Sequence, residues 1–161
     1  MKKILLALCL TALLPVSPAP AATDKRDVYT AVTGREMREL MQRFGYPVRL
    51  GKDSGGDPLI ETTLDGTQFK IYFYGCDRNA VRTCKSIQIV AALRPRNPQD
   101  AARINAWNRE QRHGKAFRRK NGDVVLHMNI NIQHGLTIGN LRVWLDWWRL
   151  GLRGFKRYVG N

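Results

Sequence analysis

The sequence predicts an α+β domain ordered as helix, three-stranded antiparallel meander, helix, two-stranded hairpin, helix. Three observations carry this. Three segments repeat apolar residues at three- and four-residue steps, the period of a helix with one buried face. Others alternate apolar with polar side chains, the period of a half-buried strand. Asp65-Gly66 and Asn121-Gly122 join strand-like runs, and such dipeptides tolerate the positive φ of a tight hairpin turn.

The chain opens with Met1, Lys2 and Lys3, then the apolar run ILLALCLTALL, then small residues at Ala19 and Ala21. A basic start, a short apolar stretch and an A-x-A pattern read as a cleavable secretory signal peptide over residues 1–22. Residues 23–32 read as a lead-in, and 33–161 as one domain large enough to bury its own core. Export across the inner membrane makes the expected compartment the periplasm.

Thr33 and Glu36 have the spacing of a capping box, and Met37, Leu40, Met41 and Phe44 follow on one helical face before Gly45. PVRL is a short extended piece, and GKDSGGDP a polar loop. LIETTL and QFKIYFYG are the first two strands of the meander, with Phe69, Ile71 and Phe73 turned one way and Lys70, Tyr72 and Tyr74 the other. SIQIVAAL is the third, with Ile87, Ile89, Ala91 and Leu93 on its apolar side. NPQDAARINAWNREQR begins a second helix, with Asn97 as N-cap, Pro98 in the first position and Asp100 favouring the positive helix end. Ile104 and Trp107 mark its buried stripe.

KAFRRK and DVVLHMNINI form the hairpin, with Val124, Leu126, Met128, Ile130 and Ile132 inward, and Val125, His127, Asn129 and Asn131 toward solvent. Thr137 caps the last helix, whose core stripe is Leu141, Trp144, Leu145, Trp148, Leu152 and Phe155. Arg142, Arg149, Arg153, Lys156 and Arg157 fall on the opposite side, and Val143, Trp147 and Leu150 form a second apolar strip between the two. Gly151 and Gly154 are expected to weaken the helix near its end.

Without the leader, Cys76 and Cys84 are the only thiols. An even pair in an oxidising compartment is expected to be a disulfide. C-x7-C supplies too few ligands for zinc and lacks the redox spacing C-x-x-C. Discounting Lys2 and Lys3 leaves 25 Lys and Arg against 13 Asp and Glu, a net charge of +12. That excess suits an acidic partner such as a protein, anionic lipid or lipopolysaccharide, and export argues against nucleic acid.

His113, His127 and His134 show no metal-ligand spacing, so no metal or other cofactor is expected. The sparse acids belong to turns and caps, which leaves no carboxylate pair for hydrolysis and no expected catalytic residue. Asn105 and Asn108, middling helix formers, are expected to use their amides on backbone groups of the neighbouring hairpin.

The pieces YFYGC, CKSIQIVAAL, INAWNREQRHGKAF, VLHMNINI and LTIGNLRVWLDWW resemble the YbjN-type domain, a group of bacterial proteins described as sensory transduction regulators. The resemblance covers residues 33–158, and its most specific part is Ile104-Asn105-x-Trp107-Asn108 followed by Arg112, Gly114 and Phe117. It implies a fold similar to type III secretion chaperones and a non-enzymatic module that binds another protein. The strip of Val143, Trp147 and Leu150 is then the expected client or homodimer surface. The alternative is binding of anionic envelope components, an acidic membrane surface included, by the basic, Trp-rich last helix.

Overall fold

Each long strand buries every second side chain, and those buried rows make the floor of the core. The computed structural model describes residues 28–160. The expected signal peptide and the lead-in up to residue 27 lie outside the described residues. In chain order the elements are β1 (Val28–Tyr29), β2 (Val32–Thr33), α1 (Gly34–Arg43), β3 (Val48–Lys52), β4 (Pro58–Leu64), β5 (Thr67–Tyr74), β6 (Thr83–Cys84), β7 (Ser86–Leu93), α2 (Ala101–Glu110), β8 (Lys115–Arg118), β9 (Val124–Asn131), β10 (Leu136–Thr137) and α3 (Ile138–Val159).

Meander and hairpin form one antiparallel sheet in the order β3-β4-β5-β7-β9-β8. The extended piece read at PVRL is the edge strand β3, in register with β4 from Val48 opposite Thr62 to Lys52 opposite Pro58. After α2 the chain returns so that β9, the second strand of the hairpin, lies beside β7, with Ile89 opposite Met128 and Leu93 opposite Val124. β8 is therefore the other edge. Phe69, Ile71, Phe73, Ile87, Ile89, Leu126 and Ile130 form one buried core with Met37, Leu40 and Met41 of α1, Ile104 and Trp107 of α2, and the stripe of α3. All three helices thus cover one face of the sheet.

Four local expectations are corrected. Asp100, and not Asn97, caps α2: its carboxylate accepts the Arg103 N–H at 2.7 Å, and the helix begins at Ala101. A carboxylate at this position also satisfies the positive helix end, which the amide of Asn97 does less well. α3 runs unbroken through Gly151 and Gly154 to Gly160, whose φ of 71° ends it. Packing outweighs the local cost of the glycines: a Cβ at 154 would lie 3.4 Å from the Trp107 ring, and one at 151 would lie 3.4 Å from the His113 carbonyl. Val125, expected in solvent, is buried, in register between Ala92 and Phe117 on the outer side of the sheet. Trp144, expected in the core, is only half-buried at its rim.

The described end of the lead-in is tied down as well. Val28 and Tyr29 pair with Thr137 and Leu136, and Val32 and Thr33 with Cys84 and Thr83. The capping box at Thr33 and Glu36 forms as expected, with Thr33 Oγ1 accepting the Glu36 N–H at 3.1 Å. No helix among the described residues is long and apolar enough to cross a membrane.

Candidate functional site

α3 carries most of the residues singled out for recognition, and burial sorts them. Leu141, Leu145, Trp148, Leu152, Phe155 and Val159 are buried. Trp148 lies 5.6 Å from Phe69 between ring centres, and Phe155 lies 4.9 Å from Trp107. These contacts fix the helix on the sheet and leave the opposite side free.

The second strip divides there. Val143 and Leu150 are 44% and 64% exposed, two turns apart on the outer side of α3. Trp147, between them in sequence, is half-buried. Its indole stacks on His113 at 4.4 Å with planes 21° apart, and meets Trp144 edge-on at 5.1 Å. Two members of the strip face solvent, and the third fastens the loop after α2 to α3.

The five cations do not make one free patch. The Arg142 guanidinium lies 4.8 Å over the Phe44 ring, linking α3 to the end of α1. Arg153 donates to Asp65 in the β4–β5 turn at 2.5 Å. That hydrogen bond, with the charges of Arg153, Arg149 and Lys156 behind it, holds the Asp65 carboxyl below the usual carboxylate range. Arg149 and Lys156 are half-buried, and Arg157 is exposed.

The two asparagines also part ways. Asn108 acts like a short strand against the edge of β8: its Oδ1 accepts the Ala116 N–H at 2.8 Å, and its Nδ2 donates to the Ala116 carbonyl at 2.9 Å. Asn105 is exposed and does not share this role.

Cys76 and Cys84 are joined as a disulfide, with Cys84 fully buried. Inside the loop the Asp77 carboxylate accepts the Thr83 hydroxyl at 2.7 Å and the Thr83 N–H at 3.2 Å. These bonds, Thr83 first, and those from Asn79 lower the Asp77 pKa. Arg82 pairs with Asp57, tying the loop to the β3–β4 turn.

One grouping was not legible in the sequence. Arg112, His113, Gly114, Lys115, His127, Met128, Asn129, Trp144 and Trp147 line a cavity of about 320 Å³ between α3 and the β8–β9 hairpin. Gly114 makes it: φ is 77°, and a Cβ there would lie 3.0 Å from Leu126, so only glycine lets the loop descend onto the sheet. On the outer face of the sheet, away from α3, the Gln88 amide donates to Asn129 Oδ1 at 2.9 Å and lies 3.2 Å from His127 Nδ1, while Tyr74 donates to its oxygen at 3.3 Å. Gln88 thus offers N–H to His127 Nδ1, which places the imidazole proton on Nε2. Burial lowers the His127 pKa. His134 sits apart, in the turn before β10 with φ of 72°. Among the described residues no three His, Cys, Asp or Glu side chains are grouped to hold a metal.

Residues 34–160 match the YbjN family, whose description reads "Putative bacterial sensory transduction regulator". The chain belongs to the YbjN family. Among curated proteins none matches it. The family is described by a regulatory role and not by a reaction. Arg112 and Gly114, which the sequence carries in its most family-like piece, are both cavity residues.

Proposed function

We propose that this YbjN protein is an exported, non-enzymatic regulatory or adaptor module that acts in the periplasm by binding another protein through α3. The observation that carries this reading is the exposure of Val143 and Leu150 on a helix whose own core stripe is already satisfied. Exposed aliphatic residues aligned on one helix face, with arginines around them, suit a partner with an apolar anchor ringed by acidic residues. A net charge of +12 on the chain without its leader favours such an acidic partner over a second copy of the same chain. Three helices on one face of an antiparallel sheet are compatible with the type III secretion chaperone-like fold that the resemblance implies.

Binding of anionic envelope components by the basic face of α3 ranks second, because Arg142 and Arg153 are already engaged by Phe44 and Asp65. The test is in-cell crosslinking from α3, with mass-spectrometric identification, in wild type and in a Val143→Asp, Leu150→Asp variant. Both positions are exposed, so the variant is expected to melt within about 0.5 kcal/mol of wild type. Loss of a specific crosslinked protein in that variant is the expected result. Unchanged crosslinks remove the reading, and a crosslink to a second copy replaces the acidic partner with a homodimer.

A further inference from the structure

All three helices pack on one face of the six-stranded sheet, and no helix among the described residues covers the other. A groove of about 620 Å³ lies on that uncovered face. Register places its side chains together: Arg49 lies opposite Glu61, Glu61 opposite Lys70, and Lys70 opposite Val90, in one row across β3, β4, β5 and β7. Gln68 and Tyr72 stand two residues either side of Lys70, and Ala92 stands two beyond Val90, so alternation turns them the same way. Thr63, opposite Gln68, joins them. The intervening Phe69, Ile71, Ile89 and Ala91 are buried toward the helices. Arg119 reaches the groove from the β8–β9 turn.

The lining carries three cations, Arg49, Lys70 and Arg119, and one carboxylate, Glu61. Glu61 accepts from both Arg49 and Lys70, the latter at 2.8 Å, so its charge is met within the row. Lys70 keeps two ammonium hydrogens. Arg119 is exposed, with Asp123 the carboxylate on which its charge acts. The excess of cations favours an anion. β4, β5 and β7 are interior strands, and their backbone N–H and C=O groups are spent on the ladders. A peptide strand, which needs backbone partners along its length, finds none over them. Single-stranded nucleic acid stacks successive bases on aromatic platforms, and Tyr72 is the one aromatic of the lining that turns outward. The groups that remain are the hydroxyls of Thr63 and Tyr72 and the amide of Gln68, each able to donate and to accept. A chain of sugars bearing carboxylates matches them: hydroxyls meet the hydroxyls and the amide, ring C–H bonds meet the face of Tyr72, and acidic substituents meet the cations.

We propose that the outer face of the sheet binds an acidic polysaccharide in this groove, with one sugar ring against Tyr72, hydroxyls on Gln68 and Thr63, and carboxylates on Lys70 and Arg119. The small side chains of Val90 and Ala92 leave the chain room to lie on the sheet. The site is independent of the protein-binding reading, since it lies on the side of the sheet away from α3.

Titration of the purified protein, followed by backbone and side-chain amide resonances, tests this with four probes: β-1,4-linked tetramannuronate, the neutral mannotetraose of the same linkage, tetraglutamate and a thymidine tetranucleotide. Tetramannuronate is expected to give saturable shifts at the Gln68 side-chain amide and at the backbone of Lys70, Tyr72, Val90 and Ala92. It should bind about tenfold more tightly than each of the other three. Ala92 is exposed, so Ala92→Glu, which sets bulk and a negative charge in the groove, should weaken tetramannuronate by about tenfold or more with the melting temperature held. Ala92→Gln, of the same size and uncharged, should weaken it less. The Val143→Asp, Leu150→Asp variant should bind it as wild type does, so failure of the protein-binding reading leaves this result standing. The inference is overturned if tetramannuronate produces no saturable shifts at these residues. It is equally overturned by mannotetraose, tetraglutamate or the nucleotide binding as tightly, or by Ala92→Glu leaving the affinity unchanged.

Discussion

Replacing Asn108 with alanine tests how α2 is joined to the sheet. The side chain supplies one acceptor and one donor to the same residue, Ala116, at 2.8 and 2.9 Å. Alanine removes both and adds none. Two neutral hydrogen bonds contribute about 1 kcal/mol each, and because Ala116 is buried its abandoned N–H and carbonyl recover only part of that from water. The expected loss is about 2–3 kcal/mol. For a domain of this size that lowers the melting temperature by about 6–15 °C. Thermal unfolding followed by circular dichroism measures it, and hydrogen exchange should show the Ala116 amide losing protection before the rest of the sheet. The variant also bares the backbone of an edge strand, so it should associate more readily at high concentration. An unchanged melting temperature would mean that water replaces the amide at no cost, and the account of Asn108 as a cover for the β8 edge would be wrong.

Gly114→Ala should cost about 1–3 kcal/mol, because it combines a left-handed backbone with a Cβ placed 3.0 Å from Leu126; a denaturant melt checks it. Replacing Cys76 and Cys84 with serine together should cost about 2–3 kcal/mol by releasing a short loop in the unfolded chain, and thiol titration of wild-type protein taken from cells should find both sulfurs unreactive. Burial lowers the His127 pKa, so the unfolded chain binds this proton more readily than the folded one. Stability is therefore expected to be full above about pH 6.5 and to decline as pH falls below it. Melts at successive pH values should show that decline in wild type and a shallower one in His127→Gln.

The sequence by itself determined every long element of this protein, because the information for each is local. Phe69, Ile71 and Phe73 turn to one side of a strand whatever the strand packs on. Thr33 finds Glu36, and Thr137 finds Asn140, within a single helical turn. The positions of Cys76 and Cys84, on either side of a short loop, likewise carried their pairing. Two local signals compete at the start of α2: Asn97 and Asp100 are both N-cap residue types, and Asp100, nearer the first buried apolar position Ile104, takes the role.

Tertiary structure decided which faces meet. The apolar strip of α3 looks uniform in sequence, yet Trp147 is taken by His113 while Val143 and Leu150 stay in solvent. Asn105 and Asn108 are equivalent by residue type, and only Asn108 lies against the β8 edge. The cavity gathers a loop glycine, two strands and one turn of α3, and no periodicity along the chain encodes that meeting. The physical reason is that backbone period and capping act over three or four residues, whereas packing is settled by the shapes of surfaces that the fold brings together from distant parts of the chain.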